Sequence, residues 1–491
     1  MTHLLKGFLL LAPALFSAHS QGQKAIEYTE FDLSNGLHVI LHEDHSTPIV
    51  AVTMMYHVGS KDEDTNRTGF AHFFEHLLFE GSKYINRHEF DKYVSGSGGT
   101  LNANTSNDRT FYYELLPSHQ LPLGLWLESE RLLHARVEQI GIETQREVVK
   151  EEKRMRIDNQ PYASFISEIC QRAFTLHPYR WVPIGSMAHL DAAEEKDYVK
   201  FYRTYYVPHN AVLSIAGDID SKETKALIEK YFGNIPTGDR LNAYRNMLNM
   251  NFTSFTEKYG KPANISTAEK EYSSMEGIAF LNKHYSNINS KPVKIERHGV
   301  VEPPLKGEIR DTIFDNIQLP AVMMGYRTPQ QGTKDFYALE VLSDVLSGGK
   351  SSRLQTNVVD EQLKALFALS FPFPLEDPGL AIFLAICNEG VSPDDLEQSI
   401  EKEIDNLKEE LIPQREYEKV MNSIEARFLT SYGTVAGKAE ALANYHMYFG
   451  NANLVNTELA KYREVTREDI QRVAKTYLNK NNRVVLYYLA K

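Results

Sequence analysis

Residues 68–80 read Thr68-Gly-Phe-Ala-His72-Phe-Phe-Glu75-His76-Leu-Leu-Phe-Glu80, and the rest of the chain is placed from this stretch. On a helix, His72 and His76 lie one turn apart and project from the same side, the spacing two imidazoles need to share a tetrahedral Zn²⁺. Glu75 falls beside both, placed to take a proton from a metal-bound water. The pattern H-x-x-E-H is the inverted form of the H-E-x-x-H zinc-protease helix. The bland alternative is two core histidines beside a solvated glutamate. Phe73, Phe74, Leu77 and Leu78 argue against it, because they already make this helix buried. Two histidines and a carboxylate in such a helix need a strong partner, and a metal is the economical one.

A catalytic zinc takes a third protein ligand and keeps one position open. The helical stretch Gln145-Arg-Glu-Val-Val-Lys-Glu-Glu152-Lys-Arg-Met155 offers that ligand. With Val148 set at zero, Val149 falls at ~100°, Met155 at ~340°, Glu152 at ~40° and Glu151 at ~300°. This predicts Glu152 in the middle of an apolar face and Glu151 at its edge. A carboxylate aimed into a core demands a compensating charge, so Glu152 is the expected third ligand.

Outward from these helices the chain reads as two α+β units. YTEFDL, the turn Ser34-Asn35-Gly36 and LHVILHED predict paired strands. The apolar run PIVAVTMMYHV predicts a buried strand, with further strands at Gly99–Asn104, Arg109–Leu116 and NAVLSIAGDI. Helices are expected over Gly69–Glu80, Arg87–Ser95, Leu121–Arg136, Ile142–Ile157 and Ser221–Phe232. IRDTIFD and PAVMMGYRTP, from Ile309, echo the opening strands, and the later elements repeat the same order to the final strand NNRVVLYYLA. The expected fold is a duplicated α+β unit, each half a mostly antiparallel sheet with helices packed on one face. The boundaries follow: residues 21–236 form a first, zinc-binding half and 305–491 a second. Residues 237–304, rich in Asn, Ser and Lys, are expected to be a linker or insertion with one helix near Ala268–His284.

These motifs resemble the pitrilysin family of zinc metallopeptidases, the M16-type inverzincins, which include mitochondrial processing peptidase and insulin-degrading enzyme. In that family H-x-x-E-H is followed, about 75 residues on, by a Glu in a segment of the type R-x-V-V-x-E-E. Here 75 residues separate His76 from Glu152, and REVVKEE matches. The resemblance implies a metalloprotease fold of the LuxS/processing-peptidase type whose halves enclose a cavity. It implies one Zn²⁺ per chain on His72, His76 and Glu152, with Glu75 as general base. It likens Gly98-Gly-Thr-Leu-Asn102-Ala103-Asn-Thr to the strand on which an extended substrate adds, making Asn102 and Ala103 expected substrate-binding residues.

Two departures stand out. The acidic residue that several members carry seven positions before the third ligand is here Gln145. The Arg and Tyr that complete members carry in the second half align, through Ser352-Arg353-Leu354, with Val359 and Leu366, which offer no donor and no charge. The chain thus resembles the zinc-motif-bearing subunit of bacterial two-chain members, and a same-fold partner chain supplying Arg and Tyr is expected.

Composition bounds the remainder. The 491 residues, 42% hydrophobic and 24% charged, exclude a disordered or polytopic membrane protein. A net charge of −12 argues against nucleic acid as partner, and Lys150–Arg156 mixes both signs. Two cysteines, Cys170 and Cys387, are too few for a thiolate metal cluster; a bridge between them or two free thiols both remain open. His57 and His88 lack partner spacing and read as structural or surface residues. Residues 1–20 read as a secretory signal, with Lys6, the run GFLLLAPALFSA and Ala18-His19-Ser20 as cleavage site. The expected mature protein is periplasmic or secreted, with no stable membrane insertion after cleavage. The functional expectation is a zinc endopeptidase acting on peptides or unfolded proteins; its rival is a non-catalytic scaffold subunit of the same fold.

Overall fold

The computed structural model describes residues 25–491, so the expected signal at 1–20 lies outside the described residues. The first sheet contains β1 (Thr29–Asp32), β2 (His38–Glu43), β3 (Ile49–Tyr56), β4 (Thr100–Thr105), β5 (Thr110–Pro117) and β6 (Ala211–Gly217), in the order β1-β2-β6-β3-β5-β4. The second contains β7 (Ile309–Asp315), β8 (Ala321–Arg327), β9 (Ala365–Phe373), β10 (Leu380–Cys387) and β11 (Arg483–Ala490), in the order β7-β11-β8-β10-β9. Each sheet has one parallel pair, β2 with β6 and β7 with β11, and is otherwise antiparallel. In both halves the last strand inserts between the first and second of the repeat. β1 is an addition to the first half. The molecule is a duplicated α+β unit.

Alternation along β3 assigns its faces. Val50, Val52, Met54 and Tyr56 join the core beneath the first half's own helices. Ala51 and Met55 point the other way, into clusters with Ala439 and Leu442 of the helix Val435–Phe449. That helix belongs to the second half. The exchange is reciprocal: Ile169, Cys170 and Ala173 of the first half's helix Phe165–Ala173 pack on Ala321, Met323, Val484 and Leu486 of the second sheet. Contact there is close enough that a Cβ added at Gly325 would lie 2.4 Å from Ile169 Cγ2. Each sheet therefore carries its own helices on one face and a helix of the other half on the opposite face. Periodicity detects that both faces of β3 are apolar; it does not say which helix covers which.

Residues 237–304 depart from expectation. Instead of one helix they hold four, Gly238–Met247, Phe252–Tyr259, Ile265–Tyr272 and Gly277–His284. Leu241, Tyr244, Phe255, Phe280 and Leu281 extend the first core. The helices are short and aromatic-spaced, and Asn251 and Asn264 cap two of them, so an Asn-rich composition that reads as linker is in part capping. A cavity of about 540 Å³ does lie between the halves, lined by Ser106–Arg109 and by Tyr432, Tyr445 and Tyr448, but the His72–His76 site does not line it. Cys170 and Cys387 are both free and buried.

Candidate metal centre

The helix Phe70–Leu77 starts at Gly69, whose φ of +96° is a left-handed conformation that favours glycine. Its first amides are satisfied by one buried carboxylate: Gly69 N and Ala71 N each donate to Glu63 at 2.8 Å. Beyond its end, Leu78 O accepts from the buried Arg131 guanidinium at 3.0 Å, and Phe74 O accepts from the Tyr112 hydroxyl at 3.0 Å. Phe70, Phe73 and Phe74 pack on Tyr198, Phe201 and Tyr206. With one face locked in aromatic packing, the other must present His72, Glu75 and His76.

The structure brings His72, His76 and Glu152 together. Glu152 Oε2 lies 3.5 Å from His72 Nε2 and 3.1 Å from His76 Nε2. The two rings are 4.9 Å apart and inclined at 83°, so their in-plane lone pairs can converge on one ion. Glu152 Oε2 and His72 Nδ1 are buried without a hydrogen-bond partner. An oxygen orphaned between two imidazole nitrogens fits a cation, and neutral imidazole with carboxylate is a zinc donor set. The electrostatics agree: burial, then the neighbouring His76, push His72 down to about 4. The adjacent His76 holds the Glu152 carboxyl below the usual range. Burial raises Glu75 above it.

Glu152 reaches this place by a different route from the one its helical wheel proposes. Val148 and Met155, which define that wheel's apolar face, are 43% and 61% exposed. The inward stripe is instead Gly141, Ile142, Gln145, Val149 and Glu152, on the helix Gln139–Lys153. Gln145 sits on it for a reason: its amide donates to Glu80 at 2.5 Å, where a second carboxylate would face a buried one. Asn102 and Ala103 lie on β4, an edge strand paired only with β5; Asn102 faces solvent and Ala103 packs towards the first core.

Two participants escape the sequence reading. Thr105, the last residue of β4, donates its hydroxyl to Glu75 Oε2 at 2.6 Å. Two-residue alternation from Ala103 would have found it. Arg156 Nη1 lies 2.6 Å from Glu152 Oε1, four positions after it, where the i,i+4 spacing of a helix would have found it; the π-turn Arg154–Asp158 starts two residues earlier. Val359 packs against the second core and Leu366 is 57% exposed on β9. His57 joins the halves through Glu376 at 2.8 Å, and His88 is exposed.

Two other histidine–carboxylate groups exist among the described residues, Glu30 with His38 and His446, and His177 with His298 and Asp377. The rings of His38 and His446 stack 3.4 Å apart at 9°, so their lone pairs run parallel and do not converge. His177 Nδ1 accepts from Tyr179 N, which leaves its proton on Nε2, the nitrogen nearest Asp377.

Comparison with known proteins matches the chain to two successive models of one family. The family model described as Insulinase (Peptidase family M16) matches residues 38–180, and that described as Peptidase M16 inactive domain matches residues 194–424. The zinc protease PqqE of Helicobacter pylori is 28% identical over 471 residues, spanning 96% of this chain and 94% of that protein. The crystal structure of a protease from Helicobacter pylori superimposes with a TM-score of 0.78 at 26% identity, covering 94% of this chain and 99% of that one. The periplasmic protease PqqL from Escherichia coli, at 17% identity, shares the fold, with a TM-score of 0.68 over 94% of this chain and 47% of its own. With residues 38–180 and 194–424 matched by two models of one family, the chain belongs to peptidase family M16.

Proposed function

We infer that this chain is an exported zinc endopeptidase that hydrolyses peptides bound in extended form. The observation that carries the reading is the orphaned Glu152 oxygen between His72 and His76, with Glu75 held beside the end of a free edge strand. His72, His76 and Glu152 would hold the ion. A bound zinc supplies polarisation of the scissile carbonyl and lowers the pKa of the attacking water toward ~7. The outer side of the edge strand β4 is open to a further strand; there the Ala103 N–H donates to Asn102 Oδ1 at 2.9 Å and would exchange that acceptor for a substrate carbonyl when a strand adds. Glu75 takes the water's proton as its oxygen bonds to the carbonyl carbon. The same proton passes to the nitrogen as the C–N bond breaks, leaving a carboxyl product, an amine and Glu75 restored. Thr105 occupies one Glu75 oxygen and so leaves the other for the water.

Val359 and Leu366 offer no donor at the two positions where the family resemblance expects Arg and Tyr, and a same-fold partner chain bearing Arg and Tyr would supply them. The non-catalytic alternative draws on the same two residues and on the description of the family model that matches residues 194–424. Against it, a scaffold has no use for an unpaired carboxylate oxygen buried between two imidazoles, which is costly unless filled. Export is supported by the reading of residues 1–20 and by the likeness to PqqL, a periplasmic protease; among the described residues no helix is long and apolar enough to cross a membrane. The test is metal analysis of the purified chain together with cleavage of a flexible peptide, before and after zinc removal and restoration. Stoichiometric zinc with zinc-dependent cleavage supports the reading; a chain that takes up no zinc overturns it.

A further inference from the structure

Hydrolysis of a peptide bond puts negative charge on the carbonyl oxygen, and donors aimed at that charge carry much of the catalysis. Val359 and Leu366 cannot donate. Near the candidate centre, Thr105 already spends its hydroxyl proton on Glu75. Lys153 pairs with Asp158, and Arg154 pairs with Glu151 at 2.9 Å. Arg156 is different. Its Nη1 lies 2.6 Å from Glu152 Oε1, the carboxylate oxygen facing away from the histidines, so its guanidinium sits at the rim of the centre.

Its position follows from spacing: Arg156 is four residues beyond Glu152, so one helical turn carries its side chain back over that carboxylate. The Arg156 side chain is 77% exposed while that of Glu152 is 14% exposed. One arm of the fork is thus anchored on a ligand candidate, and the remaining N–H groups face open space next to it.

We propose that Arg156 is a catalytic residue, whose free guanidinium N–H groups donate to the oxyanion that develops on the scissile carbonyl, supplying from the first half a charge that Val359 and Leu366 cannot. The proposal rests on the peptidase reading above. It leaves to a partner chain the gripping of substrate and gives the isolated chain its own means of stabilising the transition state.

The test compares two ligands of the zinc-loaded chain in a Glu75→Gln background, where nothing is cleaved. One is a short peptide; the other is its phosphinic analogue, whose tetrahedral anionic group imitates the attacked carbonyl. Adding Arg156→Gln is expected to lower the preference for the phosphinic peptide at least ~10-fold, leaving zinc content intact and the affinity for the plain peptide within ~3-fold. In the otherwise native chain, Arg156→Gln is expected to lower kcat by ~10²-fold with little change in KM. An unchanged preference with zinc in place overturns the proposal. Loss of zinc in Arg156→Gln also overturns it, since the residue then acts through Glu152 alone. A parent chain that binds neither zinc nor the phosphinic peptide overturns the peptidase reading, and this proposal with it.

Discussion

Glu75 and Glu152 are both carboxylates on buried helix faces, yet their surroundings differ in ways that suit the two duties proposed for them. Glu152 has an oxygen orphaned between two imidazoles and is held below the usual carboxylate range by His76 beside it. Glu75 has one oxygen bonded to Thr105, and burial raises its proton affinity. A ligand should be anionic before the metal arrives; a base should be willing to hold a proton. Glu152→Gln is therefore expected to weaken zinc retention by at least ~10-fold, read by competition with a chelator. Glu75→Gln is expected to keep a full zinc complement and lose at least ~10²-fold in peptide hydrolysis. Equal zinc affinity in Glu152→Gln and the parent chain would remove Glu152 from the ligand set. Wild-type turnover in Glu75→Gln would assign the proton transfer to another group.

At the scale of elements, the helix Phe70–Leu77 is positioned from its ends. Glu63 accepts two of its N-terminal amides and is itself buried, so its removal leaves both donors unsatisfied. Glu63→Ala is expected to cost ~1–3 kcal/mol of unfolding free energy and to weaken zinc binding in parallel, measured by denaturant titration and by chelator competition. Unchanged zinc affinity in a destabilised variant would show that the helix keeps its place without this cap. Neither Glu63 nor Arg131 stands out in the sequence, because each acts through backbone groups that carry no motif. What was legible is what depends on spacing along one helix or strand: His72, Glu75, His76, the alternation of β3 and the repeated strand order. What was not legible depends on contact between distant segments. Thr105 meets Glu75 from a strand 30 residues further along the chain. The capped helices of residues 237–304 have cores supplied by the first half. Glu152 was reached by a wheel whose apolar partners, Val148 and Met155, are exposed. Its true stripe runs through Gln145, a polar residue that a hydrophobicity count passes over.

For the whole molecule, the two halves are joined by exchanged helices and by a charged junction where Glu376 and Asp377 of the second half meet His57, Lys61, Asp108 and His177 of the first. Burial opposes ionisation of Glu376, but His57 and Lys61 more than offset it and hold its carboxyl at about 2. A carboxyl with a lowered pKa stabilises the fold above its unfolded value and loses that contribution as pH falls through its folded one. Between about pH 4.5 and 2 the parent chain should therefore lose up to roughly 3 kcal/mol that Glu376→Gln never had, so their stabilities converge in acid; parallel curves from denaturant titration would exclude this junction as the acid-sensitive contact. The same rigid pairing of halves bears on activity. The groups proposed to activate water all lie in the first half, and the second presents Val359 and the exposed Leu366 where the family resemblance expects donors. With Arg156 at the centre, the isolated chain should turn over a flexible peptide slowly, its deficit lying mainly in KM. Adding a same-fold chain from the same organism that carries Arg and Tyr at those positions and lacks H-x-x-E-H should lower KM at least ~10-fold and form a complex on size-exclusion chromatography. The gain should vanish if that partner's Arg and Tyr are both replaced. Full activity of this chain alone, with neither complex nor gain on mixing, would make it self-sufficient and confine the task of both missing donors to its own residues.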